Sequence, residues 1–352
     1  MKNLLPTLIA SLFFLNLSAQ RVDIDKEWFD YSYRRLPNQV LEPSFKTYSV
    51  IINKTVALEA YSNDRANELI AIEGKQKISE LAHFNVTVTL NDLMIESSEV
   101  AERVEVHKDK EGKETGRSYY YYAKVVYSFE ARAEVKDHAG NRLTSYTLAR
   151  RDSKKEFKSS EYSKGSDAAN YYNNNKLEIK AKLVDEQITE AIKSLNGSLN
   201  YDFGYPVMRT RENLWSIGSK KHLEFQPSLE AWNTAKNALS AITADAIPED
   251  FMTNIQPAID YYLSLPKKYT NTEAKGEKKI RYMAYYNLAQ IYMLTEQFEL
   301  AKEYAQNIIA NDFNPKDGQK MIKEMDNLIA EMQKHNASTR HFIPDLENIE
   351  MP

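Results

Sequence analysis

The residue types that most often carry chemistry are present but badly spaced for it. His83, His107, His138, His222, His335 and His341 are scattered along the chain. None falls in an H-E-x-x-H or H-x-H pattern that would bring two ligands together on one element. Cysteine is absent, which removes disulfides, thiolate nucleophiles, cysteine metal sites and a lipid-modified cysteine at one stroke. "KGSDA" and "NGS" contain serines without a G-x-S-x-G elbow. "EGKETG" and "GSKKH" lack the phosphate-cradling G-x4-G-K-[ST] loop. "DFNPKDGQKM" (312–321) lacks the acidic alternation and terminal Glu of a calcium loop. Carboxylates such as Asp92, Glu96 and Glu99 are abundant enough to be ordinary solvated surface. The sequence therefore predicts no catalytic residue, no metal and no cofactor.

Aromatic residues are the next candidates, because tyrosine is over-represented at 23, against 3 Trp and 13 Phe. "RSYYYYAKVVYSFEARAEV" (117–135) concentrates them. Side chains alternate between faces along a strand. From Tyr119, one face collects Tyr121, Ala123, Val125, Tyr127, Phe129, Ala131, Ala133 and Val135. The other collects Tyr120, Tyr122, Lys124, Glu130, Arg132 and Glu134. That split predicts one long half-buried strand with Tyr121, Tyr127 and Phe129 in the core. "DHAGN" then turns the chain into a partner strand, "RLTSYTL". Tyr120 and Tyr122 could form an aromatic patch, but no basic groove accompanies them as nucleic-acid binding would require.

The elements around this strand can be read by periodicity. "KTYSVIIN" is a strand; "ELIAIEG" and "KQKISELA" read as a strand, a Gly74 turn and a short helix. Residues 84–106 alternate as a strand, and the mixed charges of 107–117 make a solvated hairpin loop. Residues 150–175 read as a long polar loop. Leu177, Ala181, Val184, Ile188, Ala191 and Leu195 then mark a helix ending at Asn196-Gly197. The expected fold class is α+β. Residues 22–226 form a mainly antiparallel sheet domain with packed helices.

From residue 227 the period becomes helical throughout, with helices predicted at 228–243, 248–265, 277–294, 297–310 and 315–334. "YYNLAQIYMLTEQFELAKEYAQNII" resembles a tetratricopeptide repeat. Tyr285, Leu288, Ala289 and Tyr292 stand at the spacing of W-x2-L-G-x2-Y, and Ala301 at the small position of the second helix. Ala289 for Gly and Ala305 for Phe depart from the pattern. The resemblance implies an all-α repeat domain over 227–335, capped by the last helix and followed by a flexible tail, 336–352. It also implies that Met283, Tyr286, Gln290 and Met293 look into a concave surface, and that Tyr286, Gln290 and Met293 bind a partner protein. A looser likeness covers most of the chain. "YSYRRLP", "KTYSV", "GRSYYYYAKVVYSFEARAEVKDHAGN" and the helical end together resemble secreted proteins of Bacteroidota, a family with no established activity to carry over.

The whole-chain properties agree with export. "MKNLLPTLIASLFFLNLSAQ" has a lysine, an apolar run and a small-residue end, as a signal peptide over 1–20 does. No later stretch approaches a membrane span, so no transmembrane segment is expected. The net charge of −4 gives no reason to bind nucleic acid. These features predict a periplasmic or extracellular protein, non-enzymatic, that binds an unidentified envelope or extracellular protein through its helical repeats. A carbohydrate-binding module or a glycan-active enzyme is the alternative. Nothing in the sequence fixes the oligomeric state.

Overall fold

A computed structural model describes residues 22–58, 63–347, 349, 350 and 352, with the backbone alone at 63–65. The expected signal peptide lies outside the described residues. The fold is α+β. Its elements are strands β1 (Ile24–Arg34) and β2 (Thr47–Lys54), helix α1 (Asn63–Glu68), and strands β3 (Gln76–Lys77), β4 (Phe84–Leu90), β5 (Met94–Lys108), β6 (Glu114–Ser128), β7 (Ala131–Asp137), β8 (Arg142–Ala149) and β9 (Lys155–Lys158). Helix α2 (Gly165–Phe203) and strand β10 (Val207–Ile217) follow. The chain then runs through α3 (Phe225–Ser240), α4 (Phe251–Lys268), α5 (Lys275–Leu294), α6 (Phe298–Ala310) and α7 (Pro315–Lys334).

The described residues divide into two compact units, one within 35–206 and 344–352, the other of 22–34 with 207–343. In the first, a five-stranded sheet has the order β3-β2-β4-β7-β8, and a three-stranded sheet the order β5-β6-β9. The β2–β4 and β2–β3 pairs are parallel and the rest antiparallel. Helix α2 buries Leu183, Val184, Ile192, Leu195, Leu199 and Phe203 in one core with Phe84, Val86, Val88, Ala133 and Val135. The Phe84 and Phe203 rings stand 5.4 Å apart.

Several expectations are corrected here. The tyrosine run is not one strand with 131–135: the chain breaks at Phe129-Glu130 and β6 and β7 enter different sheets. The alternation runs unbroken across that break, with Ala123, Val125, Tyr127, Phe129, Ala131, Ala133 and Val135 all buried, so periodicity could not reveal it. Tyr121 is only half-buried. Residues 84–106 likewise split into β4 and β5. No helix forms at 75–82 and no strand at 69–73; Asn196 and Asn200 of α2 instead bond the backbone of Ala71 and Glu73. Helix α2 starts at Gly165, inside the expected loop, and runs through Gly197. A glycine there costs about 1 kcal/mol, which burial of Leu195, Leu199 and Phe203 outweighs at roughly 1.5–3 kcal/mol per side chain.

The second unit is not all-α. It includes the ribbon of β1 and β10, paired antiparallel from Ile24↔Ile217 to Arg34↔Val207 without a register shift. Both strands lie within 22–226, the stretch expected to form the sheet domain. Their buried residues Phe29, Tyr31, Leu214 and Ile217 join the core of α3 to α7 instead. Helices α3 and α4 pack together, as do α5 with α6 and α6 with α7. Leu288, Ala289, Ala301 and Ala305 are fully buried, and Tyr292 stacks on Tyr304 at 5.7 Å. Gly318 permits the α6–α7 approach, since a methyl there would run into the Ala305 carbonyl and lie 2.8 Å from Ile309 Cγ1. The start of the expected flexible tail is tied down. Arg340 Nε donates to Glu296 at 2.9 Å, both side chains nearly buried, and Phe342 N–H donates to the Ala244 carbonyl.

Candidate functional site

Within the ribbon-and-helix unit, a cleft of about 610 Å³ opens beside β10. Its construction starts at Asn287. This side chain is fully buried on α5 and faces the strand edge. Its Nδ2 donates to the Trp215 carbonyl at 2.8 Å, and the Trp215 N–H donates to its Oδ1 at 2.8 Å. One amide thus does for Trp215 what a neighbouring strand would. Trp215 also meets Tyr282 and Tyr286 edge-on at 6.1 Å. Together these contacts hold α5 alongside the outer edge of β10.

The cleft continues along that edge. Lys26, Trp28, Arg211 and Asn213 border it from one face of the ribbon, and Tyr31, Tyr33 and Glu212 from the other. Tyr286, Gln290 and Met293 of α5 form the facing wall, with Asp317, Lys320, Met321, Glu324 and Leu328 of α7 beyond them. The three positions expected to bind a partner therefore lie together on one wall. They are less open than a bare concave surface: Gln290 is buried and its Nε2 donates to Glu212 Oε2 at 3.1 Å. Tyr286 and Met293 are half-buried, and Met283, expected on the same strip, is instead fully buried in the core.

The electrostatics follow from partial burial. Desolvation pushes the Tyr286 hydroxyl up to about 12. Desolvation also raises Glu212 above the ordinary carboxylate range, and Glu324 adds to this; the hydrogen bond from Gln290 and the Arg340 charge offset part of it. Three side chains stand out as unspent. Asn213 is 8% exposed, yet its Nδ2 has no hydrogen-bond partner. Lys26 and Arg211 lie over the rings of Trp215 and Trp28, at 5.1 and 5.9 Å, rather than against a carboxylate.

At the far end Tyr31 anchors the cleft floor. Its hydroxyl donates to the Leu294 carbonyl at 2.6 Å and lies 2.9 Å from His341 Nε2. His341 Nδ1 stands 2.7 Å from the Thr243 carbonyl, so that nitrogen carries the proton. Burial raises the Tyr31 hydroxyl and lowers the His341 imidazole.

Other features carry less. A 410 Å³ cavity is floored by Arg281, but the guanidinium donates to Asn311 Oδ1 and to the Tyr269 and Asn271 carbonyls, so its charge is met by carbonyls at the ends of α4 and α6. In the sheet unit a 460 Å³ cavity contains Lys155 already paired with Glu190. Tyr120 and Tyr122 are not a bare platform, since Arg103 covers the first at 4.5 Å and Lys158 the second at 5.7 Å. Among the described residues no three His, Cys, Asp or Glu side chains group to hold a metal, and no helix is long and apolar enough to cross a membrane.

The sequence reading missed the ribbon's share of the site. Arg209, Arg211, Asn213 and Trp215 recur every second residue of "VMRTRENLW", the strand period that puts them on one face of an extended segment. Its pairing with β1, far away in sequence, has no local signal.

No family model matches the chain, and no curated protein matches it. Among solved structures it is similar to one described as a neuraminyllactose-binding hemagglutinin homolog from Helicobacter pylori. The identity is 9%, over 46% of this chain and 96% of that one, with a TM-score of 0.19. A likeness at that level carries no argument about fold or function.

Proposed function

We propose that the protein is an exported, non-enzymatic binding protein whose tetratricopeptide-like helical region, completed by the β1–β10 ribbon, takes up a segment of another envelope or extracellular protein. The observation that carries this reading is the cleft beside β10. Its size suits a ligand of several residues. Its walls combine methionines, tyrosines and a tryptophan, the adaptable and anchoring side chains that dominate protein interfaces. Tyr286, Gln290 and Met293 are the contact residues on the helical wall, and Trp28 and Arg211 on the ribbon. Export is supported by the charged, apolar and small-residue order of residues 1–20.

The test uses two exposed rim positions, because Tyr286 and Gln290 also hold the fold. The wild-type protein and a Trp28→Ala, Arg211→Glu double variant are each used to capture partners from the native envelope after crosslinking. The reading predicts a partner recovered by the wild type and lost by the variant, with the melting temperature unchanged. Recovery of the same partners by both overturns it. Sequencing the mature N-terminus tests export, and intact Met1 in the cytoplasm contradicts it.

A further inference from the structure

The open edge of β10 identifies how a partner enters the cleft. In an antiparallel pair, alternate residues of each strand turn both backbone groups away from the partner strand. Trp215 is such a residue, since both its N–H and its C=O bond Asn287. The ribbon has no register shift, so Asn213, Arg211 and Arg209 turn the same way. The parity can be checked on β1. Arg34, an even number of residues from Lys26 and Trp28, turns outward too, and its N–H donates to the Arg340 carbonyl at 2.9 Å. Beyond Trp215 the edge is unpaired: among the described residues, β10 has no strand neighbour but β1, and the backbone groups of Asn213 and Arg211 have no partner. Those two residues border the cleft, where the buried Asn213 amide is also unpartnered.

Resting on the reading of the cleft as a protein-binding site, we infer that the partner binds as an extended segment added as a third strand to the outer edge of β10, with an acidic side chain facing Lys26 and Arg211. Unpaired strand edges recruit strands because main-chain bonds supply affinity without sequence. Selectivity comes from alternate side chains. Those on the Glu212 side meet Tyr33 and Met293 and are apolar. Those on the opposite side meet Arg211, which lies over the Trp28 ring and has Asp30 opposite it on β1, with Lys26 over Trp215 further along that face. An acidic side chain beside Arg211 gives that guanidinium a second carboxylate on its open side, and cross-strand opposite charges are favourable.

The probe is the acetylated, amidated peptide Val-Thr-Val-Asp-Val-Thr-Val, whose valines share one face and whose aspartate lies on the other. Two derivatives are N-methylated, one on the valines and one on the Thr and Asp residues. Methylation removes the donors from one edge of the strand at a time. Binding is followed on the full protein by chemical-shift changes, and hydrogen exchange is read at single amides. The inference predicts that one methylated peptide loses at least tenfold in affinity while the other binds as the parent does. It also predicts that exchange of the Arg211 and Asn213 amides slows at least tenfold on binding, while that of Trp215, already held by Asn287, does not change. Replacing the peptide's Asp by Lys weakens binding at least tenfold. If both methylated peptides bind equally and shifts map to Tyr286, Gln290 and Met293, the cleft binds protein but strand addition is wrong. If the parent peptide perturbs nothing, strand addition is again wrong, and the partner-capture experiment decides the cleft reading separately.

Discussion

Single residues in this protein are explained mainly by where burial meets charge. Glu212 is the clearest case. Its folded-state titration lies above its unfolded value, chiefly through desolvation. The folded state therefore binds more protons in that window, and stability falls as pH rises through it. Glu212→Gln keeps an acceptor for Gln290 and removes the charge. It should raise the melting temperature at pH 7 and change it little at pH 4, which paired melts will show. Tyrosines of the β6 run divide by the same logic. Tyr127 is 5% exposed on the apolar face, whereas Tyr122 lies half-buried under Lys158. Tyr127→Asp places a carboxylate in the core and should cost about 3 kcal/mol or more. Tyr122→Asp should cost well under 1 kcal/mol, because it exchanges a ring for an ion pair at a half-open site. Equal losses would mean that the strand register is wrong.

At the scale of elements, the helices were the most legible part of the sequence and the ribbon the least. Each of α3 to α7 has an apolar stripe at helical period, and their observed ends fall within a few residues of those expected. Helix α2 was legible only in its second half. Its first turns, "GSDAANYYNNN", are polar and poor in strong helix formers, and they are helical because Ala168 and the tyrosines there pack. Leu177, expected in its stripe, is 79% exposed. The helical wall of the site could be read from its repeat-like spacing; the ribbon wall depends on a pairing between strands at opposite ends of the unit's sequence. Two substitutions test the devices that join these elements. Asn287→Ala strands the backbone groups of Trp215 and should cost about 2 kcal/mol, with Asn287→Asp, which sets a buried carboxylate against the Trp215 carbonyl, losing at least as much. Gly318→Ala forces a methyl into the α6–α7 contact and should cost about 1–3 kcal/mol. Denaturant unfolding measures both, and an unchanged midpoint for Gly318→Ala would contradict the packing described.

For the molecule as a whole, three histidines set the acid side of its stability. Burial holds His83, His222 and His341 below the usual imidazole range. Sign and window follow directly. Below pH 6.5 the unfolded histidines take up protons that the folded ones refuse, so stability is complete above that value and declines as pH falls beneath it. Melting temperatures should drop between pH 7.5 and 5.5, and His341→Gln should reduce the size of that drop. The central claim is that the cleft beside β10 receives a protein. A photoreactive amino acid in place of Met293, with a second protein carrying it at exposed Met252 outside the cleft lining as control, tests this most directly when both are expressed in the native host. The account predicts a discrete adduct from position 293 that maps to an extended segment of one envelope or extracellular protein, and none from position 252. Adducts that are the same from both positions, or absent from 293, would contradict it.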